Sequence, residues 1–180
     1  MEHKVLFSSD LHGYPGQFER LFQQALQDGA QSVIVGGDLT AKDNKVDSKY
    51  QMEFLGKILP EIVRAFKTKS TAGVYLMVGN DETAQALDIL EANHGKLWYH
   101  ISNKRLALTP DYDVVGYPYI PISPFPVKDF EKFDMRPKKQ SSLSRLLFGD
   151  VNVPSGANLE GFVGRADGQW DKKVFDPKNI

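Results

Sequence analysis

Asp10 and His12 stand two positions apart behind an apolar run, Asp38 follows the pair Gly36-Gly37, and Asn80 and Asp81 follow Gly79. Carboxylate, imidazole and amide groups together suit a divalent cation in a mixed nitrogen and oxygen site. On extended backbone, residues two apart leave the same face, so Asp10 and His12 can hold one ion between them. Gly13 then lets the chain turn away. Asp38 carries two oxygens that can bridge two cations, and the glycines before it allow backbone to approach a metal or phosphate with no β-carbon in the way. Asn80 offers a neutral carbonyl oxygen. Each residue also has a plainer reading: a lone Asp10 or Asp38 can be a turn aspartate at a strand exit, and His12 a surface histidine.

Those residues fall at the ends of three apolar runs, Val5-Leu6-Phe7, Val33-Ile34-Val35 and Val74 to Val78. Each run is followed by a helical pattern. Phe18, Leu21, Phe22, Ala25 and Leu26 predict a helix stopped by Asp28-Gly29. Phe54, Leu55, Ile58, Ile62 and Val63 predict one from about Asp47 to Phe66, broken or kinked at Pro60. Ala86, Leu87 and Leu90 predict a third, ending near Asn93-His94-Gly95. Three βα units in series imply an α/β fold with a mostly parallel sheet, and in such sheets ligands bind at the carboxyl ends of the strands. A helix starting just after Asn80 would aim its positive end at the same place and favour phosphate.

The rhythm then changes to short strands, Leu97 to Ile101, Arg105 to Thr109 and Asp113 to Tyr117, expected to form a meander finishing the sheet. Five of the ten prolines fall between Pro118 and Pro137 among aromatic residues. That composition predicts a rigid loop over 118–137 that could rim a site. From Lys138 to Ile180 the periodicity is weak: a short helix around Leu143 to Phe148, then Gly- and Asn-rich sequence. A single domain over residues 1–180 is expected, with a βα core over 1–120.

The 180 residues contain no cysteine, so disulfides, thiolate zinc sites and a cysteine nucleophile are excluded together. Lysine plus arginine (22) nearly balances aspartate plus glutamate (23), which indicates neither nucleic acid nor an anionic membrane as partner. The N-terminal apolar run is far below the length of a signal peptide or membrane span, so a cytoplasmic protein is expected.

Asp10-Leu11-His12, Gly36-Gly37-Asp38 and Gly79-Asn80-Asp81-Glu82 resemble, in order, the Asp-x-His, Gly-Asp and Gly-Asn-His-Asp/Glu blocks of calcineurin-like metallophosphoesterases. The resemblance covers roughly the first 120 residues. It implies an αββα sandwich and hydrolysis of a phosphomonoester or phosphodiester by a metal-bound water. It also implies a phosphorylated substrate and divalent cofactors, two in the complete site, with manganese, iron, zinc or nickel as candidates. By the same resemblance Asp10 and His12 would bind the first metal, Asp38 would bridge, and Asn80 would bind the second. The ions, about 3.5–4 Å apart in such sites, clamp the phosphate oxygens. Asn80 and Asp81 are thereby the candidate catalytic positions.

The chain departs from the family pattern twice. Asp81 stands where many members have a histidine that protonates the leaving oxygen; it is open to a catalytic role or to service as a helix N-cap. No histidine follows His100, so the Gly-His-x-His block is missing, and a truncated member, incomplete at its C-terminus, is the expectation. A degenerate, non-catalytic binding or regulatory module is the alternative. A nucleotide-binding module of another type would need a Gly-x-Gly-x-x-Gly or Walker turn, and Asp-Leu-His-Gly-Tyr-Pro-Gly is neither. Among other candidates, His94 suits a helix end and His3 the surface, while His100 could face the site. Lys42 and Lys45 could attract phosphate, and Tyr117 and Tyr119 could face substrate.

Overall fold

A computed structural model describes residues 2–40, 48–121, 123, 125–132, 160–164 and 170–174. Strands β1 (Val5–Ser8), β2 (Ser32–Gly36), β3 (Gly73–Met77) and β4 (Tyr99–His100) form one sheet in that order. Every pairing in it is parallel. Helix α1 (Pro15–Asp28) begins on its proline, whose missing N–H costs nothing in a first turn. It ends where Gly29 takes a left-handed φ of 63° and its N–H returns to Leu26.

Helix α2 (Ser48–Glu53) runs through a π-helical turn, Phe54–Ile58, into α3 (Leu59–Lys67). The expected break at Pro60 is thus a widened turn just before it. There the Leu59 N–H reaches back five residues to the Phe54 carbonyl, and the helix continues although proline removes a donor and crowds the preceding turn. Helix α4 spans Gln85–Ala92.

Alternation along the strands sends Val33, Val35, Val74 and Leu76 to one face, where they are buried with Phe18 and Phe22 of α1, Leu59 and Val63 of α3, and Leu90 of α4. Phe22 stacks on Phe66 with ring centroids 4.6 Å apart. Trp98 is buried beside them and donates its indole N–H to the Leu90 carbonyl at 2.9 Å. On the opposite face Phe7, Ile34, Tyr75 and Tyr99 lie in register across the four strands.

The predicted meander is corrected. β4 joins the sheet as a parallel edge strand, whereas β5 (Arg105–Ala107) and β6 (Asp113–Val115) make a separate antiparallel hairpin. Asn103, left-handed at φ 56°, turns the chain out of the sheet, a conformation asparagine tolerates. A Ser102–Gly116 bridge keeps the hairpin attached.

Of the loop predicted over 118–137, the described part is folded back on itself. Ile120 bridges to Glu131, and Lys128 lies fully buried against Glu131 at 2.9 Å. The predicted helix around Leu143 to Phe148 falls outside the described residues. An unpredicted antiparallel pair, β7 (Glu160–Gly164) and β8 (Trp170–Val174), follows. Its sequence signal is Asp167-Gly168 between the strands, a pair favoured in hairpins.

Candidate metal centre

The loops leaving β1 and β2 are tied edge to edge: the N–H groups of Asp10, His12 and Gly13 donate to the carbonyls of Gly37, Asp38 and Leu39. This ladder holds Asp10 (φ 58°), His12 (φ 48°) and Asp38 (φ 49°) left-handed, three of the four non-glycine residues with positive φ among the described residues. Such conformations cost on the order of 1–3 kcal/mol each and persist where the surroundings enforce them, typically at functional sites. The extended-backbone expectation for Asp10 and His12 is therefore corrected. The two side chains converge because the backbone coils left-handed, not because alternate residues share a strand face.

One ligand atom from each of Asp10, His12 and Asp38 lies within 4.8 Å of the others. Burial raises the pKa of Asp38; the Asp81 N–H opposes this, the Asp81 and Asp10 carboxylates raise it further, and His12 lowers it. Two carboxylates and an imidazole, packed where negative charge is already unfavourable, fit a divalent cation.

The β3 loop closes on the same group. Gly79 has no room for a side chain, because a β-carbon there would collide with the Asp38 carboxylate and backbone nitrogen. Two residues on, the Asp81 N–H donates to Asp38 Oδ1 at 3.1 Å. Between them Asn80 donates its side-chain amide to Asp81 Oδ1 at 3.0 Å. The other Asp81 oxygen lies 3.5 Å from His12 Nδ1, an electrostatic contact rather than a short hydrogen bond.

Asp81 is not a helix N-cap. α4 starts at Gln85, after Ala84, whose N–H is taken by the Asp129 carboxylate at 3.0 Å. The helix thus begins five residues after Asn80 rather than directly behind it, and the N–H of the residue before its first turn is engaged by Asp129.

Glu82, the last residue of the third motif, takes a structural role. Its buried carboxylate accepts from the Thr40 N–H and hydroxyl, both at 2.8 Å, and from the Gly79 N–H at 2.6 Å. It thus joins the loop carrying Asp38 to the loop carrying Asn80. Burial pushes its pKa up to about 7 against these hydrogen bonds. Gln51 of α2 was missed; its side chain bonds the Asp81 carbonyl and the Thr83 N–H. An apolar-periodicity reading passes over a helix glutamine whose partners lie 30 and 32 residues away.

The other histidines lie elsewhere. His100 bonds Glu91 of α4 at 2.8 Å, and its own N–H donates to His94 Nδ1 at 3.0 Å. His3 contacts Ser32 at the opposite, amino end of the sheet. Tyr117 meets Tyr119 edge-on at 5.3 Å, and the Lys132 ammonium sits over the Tyr119 ring. Lys42 and Lys45 fall outside the described residues. Among the described residues no helix is long and apolar enough to cross a membrane.

No curated protein matches the chain. A family model described as calcineurin-like phosphoesterase matches residues 3–157, a span that contains both the strand-end loops and the helices that support them. The chain belongs to the calcineurin-like phosphoesterase family.

Proposed function

We propose that the protein is a metal-dependent hydrolase of a phosphomonoester or phosphodiester. The observation that carries this reading is the convergence of Asp10, His12 and Asp38, all three left-handed, with ligand atoms within 4.8 Å. In the proposed site Asp10 and His12 would hold one cation, Asp38 would be shared with a second, and Asn80 would serve that second one. Such ions, drawn from manganese, iron, zinc and nickel, would supply positive charge for the phosphate and lower the pKa of a bound water. The Glu82 clamp and the Gly79 contact keep Asp38 and Asn80 at a fixed separation, so that little reorganisation is needed when substrate arrives. A cytoplasmic location accompanies this proposal.

One observation favours a second reading, a non-catalytic binding or regulatory member: Asp81 occupies the position where many relatives place the proton-donating histidine. The two readings separate when the purified full chain is titrated with Mn²⁺ and assayed on bis(p-nitrophenyl) phosphate. Hydrolysis that requires Mn²⁺ and falls by about 100-fold or more in Asp38→Asn supports the hydrolase. Mn²⁺ binding without turnover supports the second reading. Turnover unchanged in Asp38→Asn removes the site assignment.

A further inference from the structure

Asp81, on the β3 loop, touches the chemistry of all three strand-end loops at once. Its Oδ2 faces His12 Nδ1 at 3.5 Å, its Oδ1 accepts from the Asn80 side-chain amide at 3.0 Å, and its N–H donates to Asp38 Oδ1 at 3.1 Å. Its own carbonyl is held by Gln51 Nε2 at 2.6 Å, which anchors the residue to α2. The side chain is only 3% exposed. A residue placed to hand a proton to a leaving group needs an oxygen turned toward substrate; both carboxylate oxygens here are turned toward neighbouring side chains.

We infer that Asp81 is a positioning residue that orients His12 and Asn80 as metal ligands, in place of the proton donor that a histidine would supply. The inference rests on the metal-site reading of Asp10, His12, Asp38 and Asn80. A carboxylate beside Nδ1 favours the tautomer with the proton on Nδ1, which leaves the Nε2 lone pair for a cation. At Asn80, donation of the amide N–H to Asp81 leaves the carbonyl oxygen as the end that can face a cation. One carboxylate thus orients a nitrogen ligand from the β1 loop and an oxygen ligand from the β3 loop.

The isosteric Asp81→Asn variant tests this in the full-length chain. Its amide can turn a donor toward His12 Nδ1, which would shift the proton to Nε2 and block the ligating nitrogen. In metal-free protein at alkaline pH, ¹⁵N spectra of the His12 ring are expected to show Nδ1–H in the wild type and a shift toward Nε2–H in Asp81→Asn. Calorimetric titration with Mn²⁺ is expected to show affinity weakened by about 10–100-fold. The wild-type spectrum is informative even if the variant misfolds, because an Nε2-protonated His12 overturns the inference by itself. So does an Asp81→Asn protein with unaltered Mn²⁺ affinity whose turnover falls mainly on substrates with poor leaving groups, the signature of a lost proton donor. A wild type that binds no Mn²⁺ would defeat the proposed function and with it the ligand-orienting role, whereas normal Mn²⁺ binding with an Nε2-protonated His12 would overturn the role of Asp81 alone.

Discussion

Glu82 shows how a single side chain can carry structure that the metal group depends on. Its carboxylate satisfies three donors from two loops, and removing it would leave the Thr40 and Gly79 N–H groups without that partner in a buried setting. An unsatisfied buried donor costs about 1–3 kcal/mol. Glu82→Ala is therefore expected to lower stability by about 2–4 kcal/mol in urea denaturation. It should also weaken Mn²⁺ binding, because Asp38 and Asn80 sit on the loops it joins. Thr40→Val, which removes only the hydroxyl, should cost less, about 1 kcal/mol. Equal stability of Glu82→Ala and wild type would show that the clamp is not made in solution. The same scale explains what spacing could not reveal: Asp10 and His12 converge through left-handed backbone, and a short motif does not encode its own φ angles.

At the scale of elements, the α4–β4 junction carries a pH dependence of its own. His100, on β4, is buried against Glu91 of α4, with Lys104 on the same carboxylate and His94 behind its backbone. Burial lowers the His100 pKa below its ordinary 6.5, opposed by the Glu91 hydrogen bond. The unfolded chain therefore takes up a proton near pH 6.5 that the folded protein resists. The sign follows: stability is full above about pH 6.5 and declines as pH falls below it. Glu91 acts in a separate window. Hydrogen bonds from Lys104 and His100 hold its pKa at about 2, so its contribution is lost only as pH drops from 4.5 through about 2. Thermal melts of the metal-free protein between pH 7 and 5 should show a falling Tm, and His100→Gln should flatten that fall. A variant with the wild-type slope would assign the dependence to other groups. α2 and α3 teach a related lesson: Pro60 announced a disturbance, but whether it would be a break, a kink or a π turn depended on the core that both helices share.

At the scale of the molecule, the two faces of the sheet should respond differently to mutation. Phe18, fully buried between α1 and the sheet, is expected to cost about 3–5 kcal/mol on change to alanine. Phe7, on the opposite face and 64% exposed, should cost less than about 1 kcal/mol. Denaturation midpoints of the two variants compare the faces directly, and a Phe7→Ala cost as large as that of Phe18→Ala would mean that the second face is covered in solution. The αββα expectation is met in its first half, a helical layer on a parallel sheet.

The sequence by itself determined the βα order, the parallel sheet and the identity of Asp10, His12 and Asp38 as a group. Hydrophobic periodicity and strand-end chemistry are local signals, and the three blocks occur in order along the chain. The tertiary structure decided what local pattern does not contain. It set the left-handed backbone that brings the ligand atoms together, the separation of β5 and β6 from the main sheet, and the partners of Glu82, Gln51 and Asp81. The decisive ones, Thr40 for Glu82, His12 and Asp38 for Asp81, and the Asp81 and Thr83 backbone for Gln51, lie on other loops and elements, and a buried polar residue shows its use only when the fold brings its partners to it.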